Sequence, residues 1–219
     1  MAGERIGIEV TGPGGEVFKL VDYLGHGAFG DVYRGTNTSS GVVVAVKLLP
    51  INELSNPDSK IALLNEIKLA QQISHPNVVR VLHVNDDTST STGPYLMMEY
   101  VPGGTLASLF RTQSAAKTVV PLARAREMMM DIAQGTRAIN EKLIHRDIKP
   151  DNVLLDGTRL KISDFGISKV VDERTRTHTF KGGQHVRYMA PEGWEGDTNT
   201  LKLDVYSGGL VLRQSWMQG

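Results

Sequence analysis

Cysteine is absent from the sequence, which excludes disulfides, thiolate metal sites and a cysteine nucleophile and is compatible with a reducing compartment. An excess of either charge is missing too: 24 Lys and Arg stand against 24 Asp and Glu, a formal net charge of zero. No global field therefore draws the chain to nucleic acid or to an anionic membrane, and any handling of phosphate has to be local. No apolar run approaches the ~18 residues of a membrane-spanning helix, and residues 1–15 lack the basic-then-apolar pattern of a secretory leader. Glycine is the third residue rather than the second, so the myristoylation pattern is absent, and the six histidines lack metal-ligand spacing. These absences lead to the expectation of a soluble, cytoplasmic protein with no nucleic-acid partner and no membrane segment. They leave its oligomeric state open.

The 219 residues suffice for one large domain or two small lobes. From Val17 to Leu49, short β-rich runs alternate with glycine: Val17 to Gly25, Asp31 to Thr36, and Val42 to Leu49 after the turn-forming Ser39-Ser40-Gly41. The pattern predicts three antiparallel strands. Asn56-Pro57-Asp58 offers a helix start, Ile61, Leu64, Ile67, Leu69 and Ile73 recur near helical spacing, and His75-Pro76 stops the run. Two more strands are predicted around Val78 to Val84 and Tyr95 to Tyr100, joined by the polar segment 86–93. Pro102-Gly103-Gly104 marks a hinge, after which Thr105 to Arg111 and Pro121 to Lys142 read as helices, with Met128-Met129-Met130 as core filling. The expectation is an α+β chain of two lobes. Residues 1–16 form an extension, 17–98 a small antiparallel-sheet lobe with one helix, 99–102 a hinge, and 103–219 a mainly helical lobe.

Gly25-His26-Gly27-Ala28-Phe29-Gly30 fits G-x-G-x-x-G, with Val32 two residues on, and such glycines let backbone amides approach phosphate oxygens with no Cβ in the way. Taken alone, the segment reads sooner as a glycine-rich hairpin turn, and the strand that follows argues against the dinucleotide-binding form, which opens a helix. Ala45-Val46-Lys47 puts a lysine on the third strand, either to reach phosphate or as a solvated edge. Glu66, in the helix that follows, is either the partner of that lysine or part of an exposed face. The run His145-Arg146-Asp147-Ile148-Lys149-Pro150-Asp151-Asn152 is more specific, and Val153-Leu154-Leu155 and Asp164-Phe165-Gly166 follow it. By average residue usage, the fixed positions of H-R-D-x-K-x-x-N arise by chance in about one sequence of this length in ten thousand.

On these motifs, joined in order by Ala190-Pro191-Glu192 and Asp204-x-x-x-x-Gly209, the sequence resembles the protein kinase family from about Val17 to Leu212. The resemblance implies the bilobal kinase fold and transfer of the γ-phosphate of ATP, with Mg²⁺, to protein substrates. It implies that Asp147 accepts or orients the proton of the substrate hydroxyl, that Lys149 neutralises the transferring group, and that Asn152 and Asp164 offer oxygens to Mg²⁺. Lys47 becomes the contact to the α- and β-phosphates, Glu66 its orienting partner, and Gly25, Gly27 and Gly30 the flap over them. Met98 falls at the gatekeeper position, the backbone of Glu99 and Val101 on adenine, and Val32, Ala45 and Leu154 against its faces. His145 is expected to pack under Phe165 rather than shuttle protons, and Asp204 to hold the catalytic-loop backbone. Arg146 is expected to receive a phosphate carried by Thr175, Thr177 or Thr179. Lys149 followed by Pro150 resembles serine/threonine-specific members, so a serine/threonine-protein kinase of cytoplasmic signalling is implied.

Two segments depart from the family pattern. Gln184 and His185 stand where the family has Gly-Thr, and Arg213 to Gly219 is polar where the family continues a hydrophobic helix. The second departure leads to the expectation of an incomplete helical lobe, from a fragment or an altered reading frame beyond Leu212. Together they keep an alternative open: a truncated, catalytically weak nucleotide-binding or protein-interaction module. Intact Lys47, Glu66, Asp147, Asn152 and Asp164 favour the active enzyme.

Overall fold

Apolar residues recur at strand spacing through the first half of the chain, and the strands they form pack one face into a common core. The computed structural model describes residues 3–27, 30–49, 57–90, 92–164, 187–194 and 200–216. Phe165, the three threonines at 175, 177 and 179, and the Gly182–His185 segment lie outside them. The chain divides into two compact units, Met1–Gln72 with Arg80–Tyr100, and Ile73–Val79 with Val101–Gly219.

The first unit is an antiparallel sheet of six strands: β1 (Glu9–Thr11), β2 (Val17–Gly27), β3 (Gly30–Asn37), β4 (Val43–Leu48), β5 (Val81–Asn85) and β6 (Tyr95–Glu99), in the order β1-β2-β3-β4-β6-β5. Tyr33, Val44, Val46, Tyr95 and Met97 point to one side, where they form a core with Val10, Phe18 and Leu20. Register shifts in β2 between Leu20 and Asp22 and between Tyr23 and Gly25 mark bulges, which bend a strand and increase its twist. The sheet curls until its first edge meets β6. There the Tyr95 hydroxyl accepts from the Thr11 amide at 2.9 Å and donates to the Thr11 carbonyl at 2.8 Å. The extension over 1–16 thus contributes a strand and part of the core, which its sequence did not announce: β1 is only three residues long. The turn at Ser39-Ser40-Gly41 forms as predicted, with Asn37 Oδ1 accepting from the amides of Ser39 and Ser40.

Helix α1 (Pro57–Gln71) packs on β5 and buries Leu63, Ile67 and Ala70. The strand predicted from Val78 starts later, at Val81. Val79 donates instead to the Ile162 carbonyl at 2.9 Å, Ile162 donates to the Asn77 carbonyl at 2.9 Å, and the Asn77 side chain donates to the Leu160 carbonyl at 2.9 Å. These bonds are why 73–79 belongs to the second unit.

In that unit, α2 (Leu106–Ala116) starts at an N-cap, Thr105, whose hydroxyl accepts from the Ser108 amide at 3.1 Å, and ends at Lys117 in the left-handed conformation. Helix α3 (Leu122–Asn140) buries Ala125, Met128, Ile132, Gly135, Thr136 and Ile139 at helical spacing. Of the three methionines expected as core filling, only Met128 is buried; Met129 and Met130 are 38% and 57% exposed, because successive helical residues diverge by about 100°. A Cβ at Gly135 would lie 2.5 Å from the Asn77 carbonyl, so glycine is what lets α3 approach that loop. The hairpin β7 (Val153–Asp156) and β8 (Arg159–Ile162) follows, then the short α4 (Pro191–Trp194) and α5 (Lys202–Trp216), which packs on α3.

Two tyrosines of the sheet core differ in one respect. The Tyr95 hydroxyl makes two bonds, whereas the buried Tyr33 hydroxyl has no hydrogen-bond partner among the described residues. Tyr95→Phe is therefore expected to cost about 1–2 kcal/mol, while Tyr33→Phe is neutral or stabilising by up to about 1 kcal/mol. Urea melts of the two variants measure the contrast, and equal losses would contradict it.

Candidate active site

The first unit holds one group of the predicted residues. Because Tyr33, Val46 and Met97 face the core, their strand neighbours Val32, Ala45, Lys47 and Met98 face the other side. Cross-strand register makes Lys47 the partner of Val32 on β3 and of Leu96 on β6, and Ala45 the partner of Met98. Lys47 is fully buried, which excludes the reading as a solvated edge. The β2–β3 hairpin closes with Gly27 opposite Gly30, and Gly30 has φ 123°, a conformation that L side chains rarely adopt. Gly25 pairs with Val32 two positions back from that tip. Glu66 is half-buried on α1 and its Oε2 is shielded from solvent, so it too is no member of a solvated face. At the end of β6, Glu99 donates its amide to the Arg80 carbonyl at 3.0 Å and accepts the Arg80 amide on its carboxylate at 2.8 Å.

The second unit holds the other group, and brings its members into contact. The amide nitrogen of Asn152 donates to the Asp147 carbonyl at 2.8 Å and to its carboxylate at 2.9 Å; since both partners only accept, the assignment of Asn152 Nδ2 is fixed. The Lys149 ammonium lies 2.9 Å from the same carboxylate oxygen. Ser163 donates through amide and hydroxyl to the Asn152 carbonyl, at 2.8 and 3.1 Å, continuing the β7–β8 ladder to the residue before Asp164. Gly103 donates to the Leu155 carbonyl at 3.1 Å and Leu155 to Gly104 at 2.9 Å, which sets the segment after buried Val101 alongside Leu154 and its strand. A Cβ at Gly103 would fall 2.1 Å from the Leu155 carbonyl, so no other residue fits.

Backbone strain concentrates here. Arg146 and Asp164 have φ of 65° and 61°, costly for side chains of their size, and such conformations persist only where the surroundings over-determine them. For Arg146 the determinant is Asp204, which is wholly buried. Its carboxylate accepts from the amides of His145 and Arg146, both at 2.7 Å, and from the Asn140 side chain at 2.6 Å. His145, expected only to pack, is a hydrogen-bonded strut. Its Nε2 donates to the Ser163 carbonyl at 2.9 Å and its Nδ1 accepts from the Asp147 amide at 3.2 Å, a pattern that the Nε2–H tautomer satisfies. It ties the loop that carries Asp147 to the approach to Asp164.

Sequence reasoning did not find Ser163, Ser207 or Tyr188. Ser207, on α5, donates to the Tyr188 carbonyl at 2.7 Å. Burial, and after it the charge of Asp151, push the Tyr188 hydroxyl above the usual tyrosine range against a smaller opposing effect of Arg187. These are tertiary relations between ordinary residues, and no local pattern signals them.

The family model of the protein kinase domain matches residues 18–218, and the chain belongs to that family. It is 33% identical over 196 residues to Serine/threonine-protein kinase atg1 of Dictyostelium discoideum, covering 86% of this chain and 28% of that protein. It is 35% identical to Serine/threonine-protein kinase ATG1a of Arabidopsis thaliana, over 90% of this chain and 31% of that one. Serine/threonine-protein kinase PknB of Mycobacterium leprae is 32% identical over 89% of this chain and 31% of its own length. The chain therefore spans about a third of the length of these curated relatives. No helix among the described residues is long and apolar enough to cross a membrane.

Asp204→Ala removes three charge-assisted bonds from a buried loop and is expected to destabilise the protein by about 3 kcal/mol or more. A melt showing a loss under 1 kcal/mol, with transfer activity retained, would refute the assignment of Asp204 as the support of Arg146.

Proposed function

We propose that the protein transfers the γ-phosphate of ATP to serine or threonine hydroxyls of protein substrates. Three lines support this reading: membership of the protein kinase domain family, the serine/threonine-protein kinase names of the relatives, and the mutual geometry of Asp147, Lys149 and Asn152. The last carries most weight. Phosphoryl transfer asks a protein for positioning and charge, not for a covalent nucleophile. A carboxylate fixed by a backbone-anchored amide and set beside an ammonium supplies both. Nothing in the fold or the comparisons favours the weak-module alternative.

In this reading Asp147 orients the attacking hydroxyl and takes its proton, with Asn152 holding the carboxylate in place. Lys149, 2.9 Å from Asp147, neutralises charge that develops on the transferred group. Lys47, with Glu66 to orient it, holds the α- and β-phosphates. Gly25, Gly27 and Gly30 cover them with backbone amides. Met98, Val32, Ala45 and Leu154 pack on adenine, which the backbone of Glu99 and Val101 hydrogen-bonds. The amide of Glu99 is already given to Arg80, so its contribution is the carbonyl oxygen.

The residues present fit a hard divalent cation, and Mg²⁺ is the proposed one. The NH₂ side of the Asn152 amide is turned to Asp147, which leaves its oxygen side as the one presented elsewhere. The Asp164 carboxylate follows one residue after the Ser163 bonds to Asn152. An ion of this kind takes few protein ligands and keeps several waters. When bound, it neutralises phosphate oxygens.

Incubation with γ-labelled ATP and a generic protein acceptor, followed by phospho-amino-acid analysis, is expected to yield phosphoserine and phosphothreonine. Asp147→Asn is expected to lower kcat about a thousandfold, with ATP binding changed little. Undiminished transfer by that variant, or label confined to tyrosine, would overturn the corresponding part of the proposal.

A further inference from the structure

Between α3 and α5 of the second unit runs a groove of about 570 Å³, whose lining includes the buried residues Ile132, Thr136 and Gly208. On its α5 side Leu201, Val205 and Gly209 recur one helical turn apart. Leu201 is 48% exposed and Val205 67%, although both are apolar. A Cβ at Gly209 would meet nothing within 4 Å, so no described neighbour calls for glycine there, in a helix interior that glycine disfavours. On the α3 side Arg137 and Glu141 are exposed, and neither side chain has an ion-pair partner among the described residues. They too lie one turn apart, with the cation first, which is the weaker order for a pair within one helix.

These features complement themselves. Isologous packing about a two-fold axis sets residue i of one copy against residue j of the other, and j against i. With the axis lying across the groove, each helix meets its counterpart antiparallel. An axis level with Ile139 puts Arg137 of each copy opposite Glu141 of the other. An axis level with Val205 puts Leu201 of each copy opposite Gly209 of the other, large against small, and Val205 against Val205. Ile139 and Val205 each adjoin a member of the Asn140–Asp204 bond, 2.6 Å long, so one axis serves both helices. A rim with one charge of each sign selects neither a uniformly acidic or basic partner nor a lipid surface. The formal net charge of zero also removes long-range repulsion between copies.

We propose that the groove is a homodimer interface: two copies join through α3 and α5, with Arg137 on Glu141 and Leu201 over Gly209 across the two-fold axis. Two pairs of helices make a small interface, so a dissociation constant on the order of 10 µM is expected. Association by this face does not depend on the reaction the chain performs.

Sedimentation velocity of the whole chain from about 1 to about 200 µM is expected to show monomer passing to dimer and no further. Arg137→Glu and Glu141→Arg, each alone, set like charges face to face at both contacts and are expected to weaken the dimer about tenfold or more. Mixed in equal amounts, the two variants are expected to regain it to within about threefold of the unaltered chain. In the mixture the new glutamate faces the new arginine, and the Arg137 and Glu141 that remain face each other. Gly209→Leu fills the space taken by Leu201 of the other copy. It is expected to stay monomeric at about 200 µM while the dilute protein melts no earlier, because leucine favours a helix. A chain that is monomeric throughout overturns the proposal and leaves the groove to another occupant, such as a helix of a different protein. Growth beyond two copies overturns it as well, since a two-fold face closes on itself. A dimer that neither charge reversal weakens, or a mixture no more dimeric than its components, puts the association on a different face and refutes it. If a charge variant does not fold, Gly209→Leu decides: a retained dimer refutes the proposal, and a folded monomer supports it.

Discussion

Most of what the second unit presents to chemistry depends on one buried carboxylate. Asp204 is sealed from solvent, and its charge is met by two consecutive backbone amides and one side-chain amide, all within 2.7 Å. Those bonds hold Arg146 in a left-handed conformation that its side chain disfavours, and the reversal of the chain there directs Asp147 toward Asn152 and Lys149. A buried charge satisfied by directed donors permits one arrangement and penalises others steeply, which suits a loop without secondary structure of its own. The helix α5 that carries Asp204 also fixes Tyr188 through Ser207, so one element sets two segments of the site.

The first unit solves a different problem, that of placing a lysine inside a sheet. Lys47 lies between Val32 and Leu96 on the face opposite the sheet core, and alternation along three strands puts Ala45 and Met98 beside it. The curl of the sheet is held at its edge by the Tyr95 hydroxyl on Thr11, and by the bulges of β2. None of the described non-glycine residues in this unit has a positive φ. Its specificity resides in register, which a one-residue slip would invert.

How far these features could be read beforehand varied with their range. Strands β2, β3, β4 and β6, the helices α1, α2 and α3, and the turn at Ser39-Ser40-Gly41 follow from period and punctuation, because those signals act within a few residues. Strand β1 was missed because three residues carry too little periodicity and its stability comes from Tyr95, 84 positions away. The apolar run from Val78 predicts a strand, yet the Val79 amide goes to Ile162 and the Val78 amide to His75. The run of three methionines predicts core filling, yet the rotation of the helix turns Met129 and Met130 outward.

Motif spacing was enough to place the chain in its family, since the His145 to Asn152 run and the Asp164 segment are too specific to arise by accident, and the residues themselves define charge and ligand type. What the sequence could not specify were the relations among them: the Asn152 amide on Asp147, the two-ended bond of His145, the three donors on Asp204, and the Arg80 amide on the Glu99 carboxylate. Each joins groups whose approach is set by packing rather than by distance along the chain. A hydrogen bond is decided within a few tenths of an ångström, and only the assembled fold controls positions so closely.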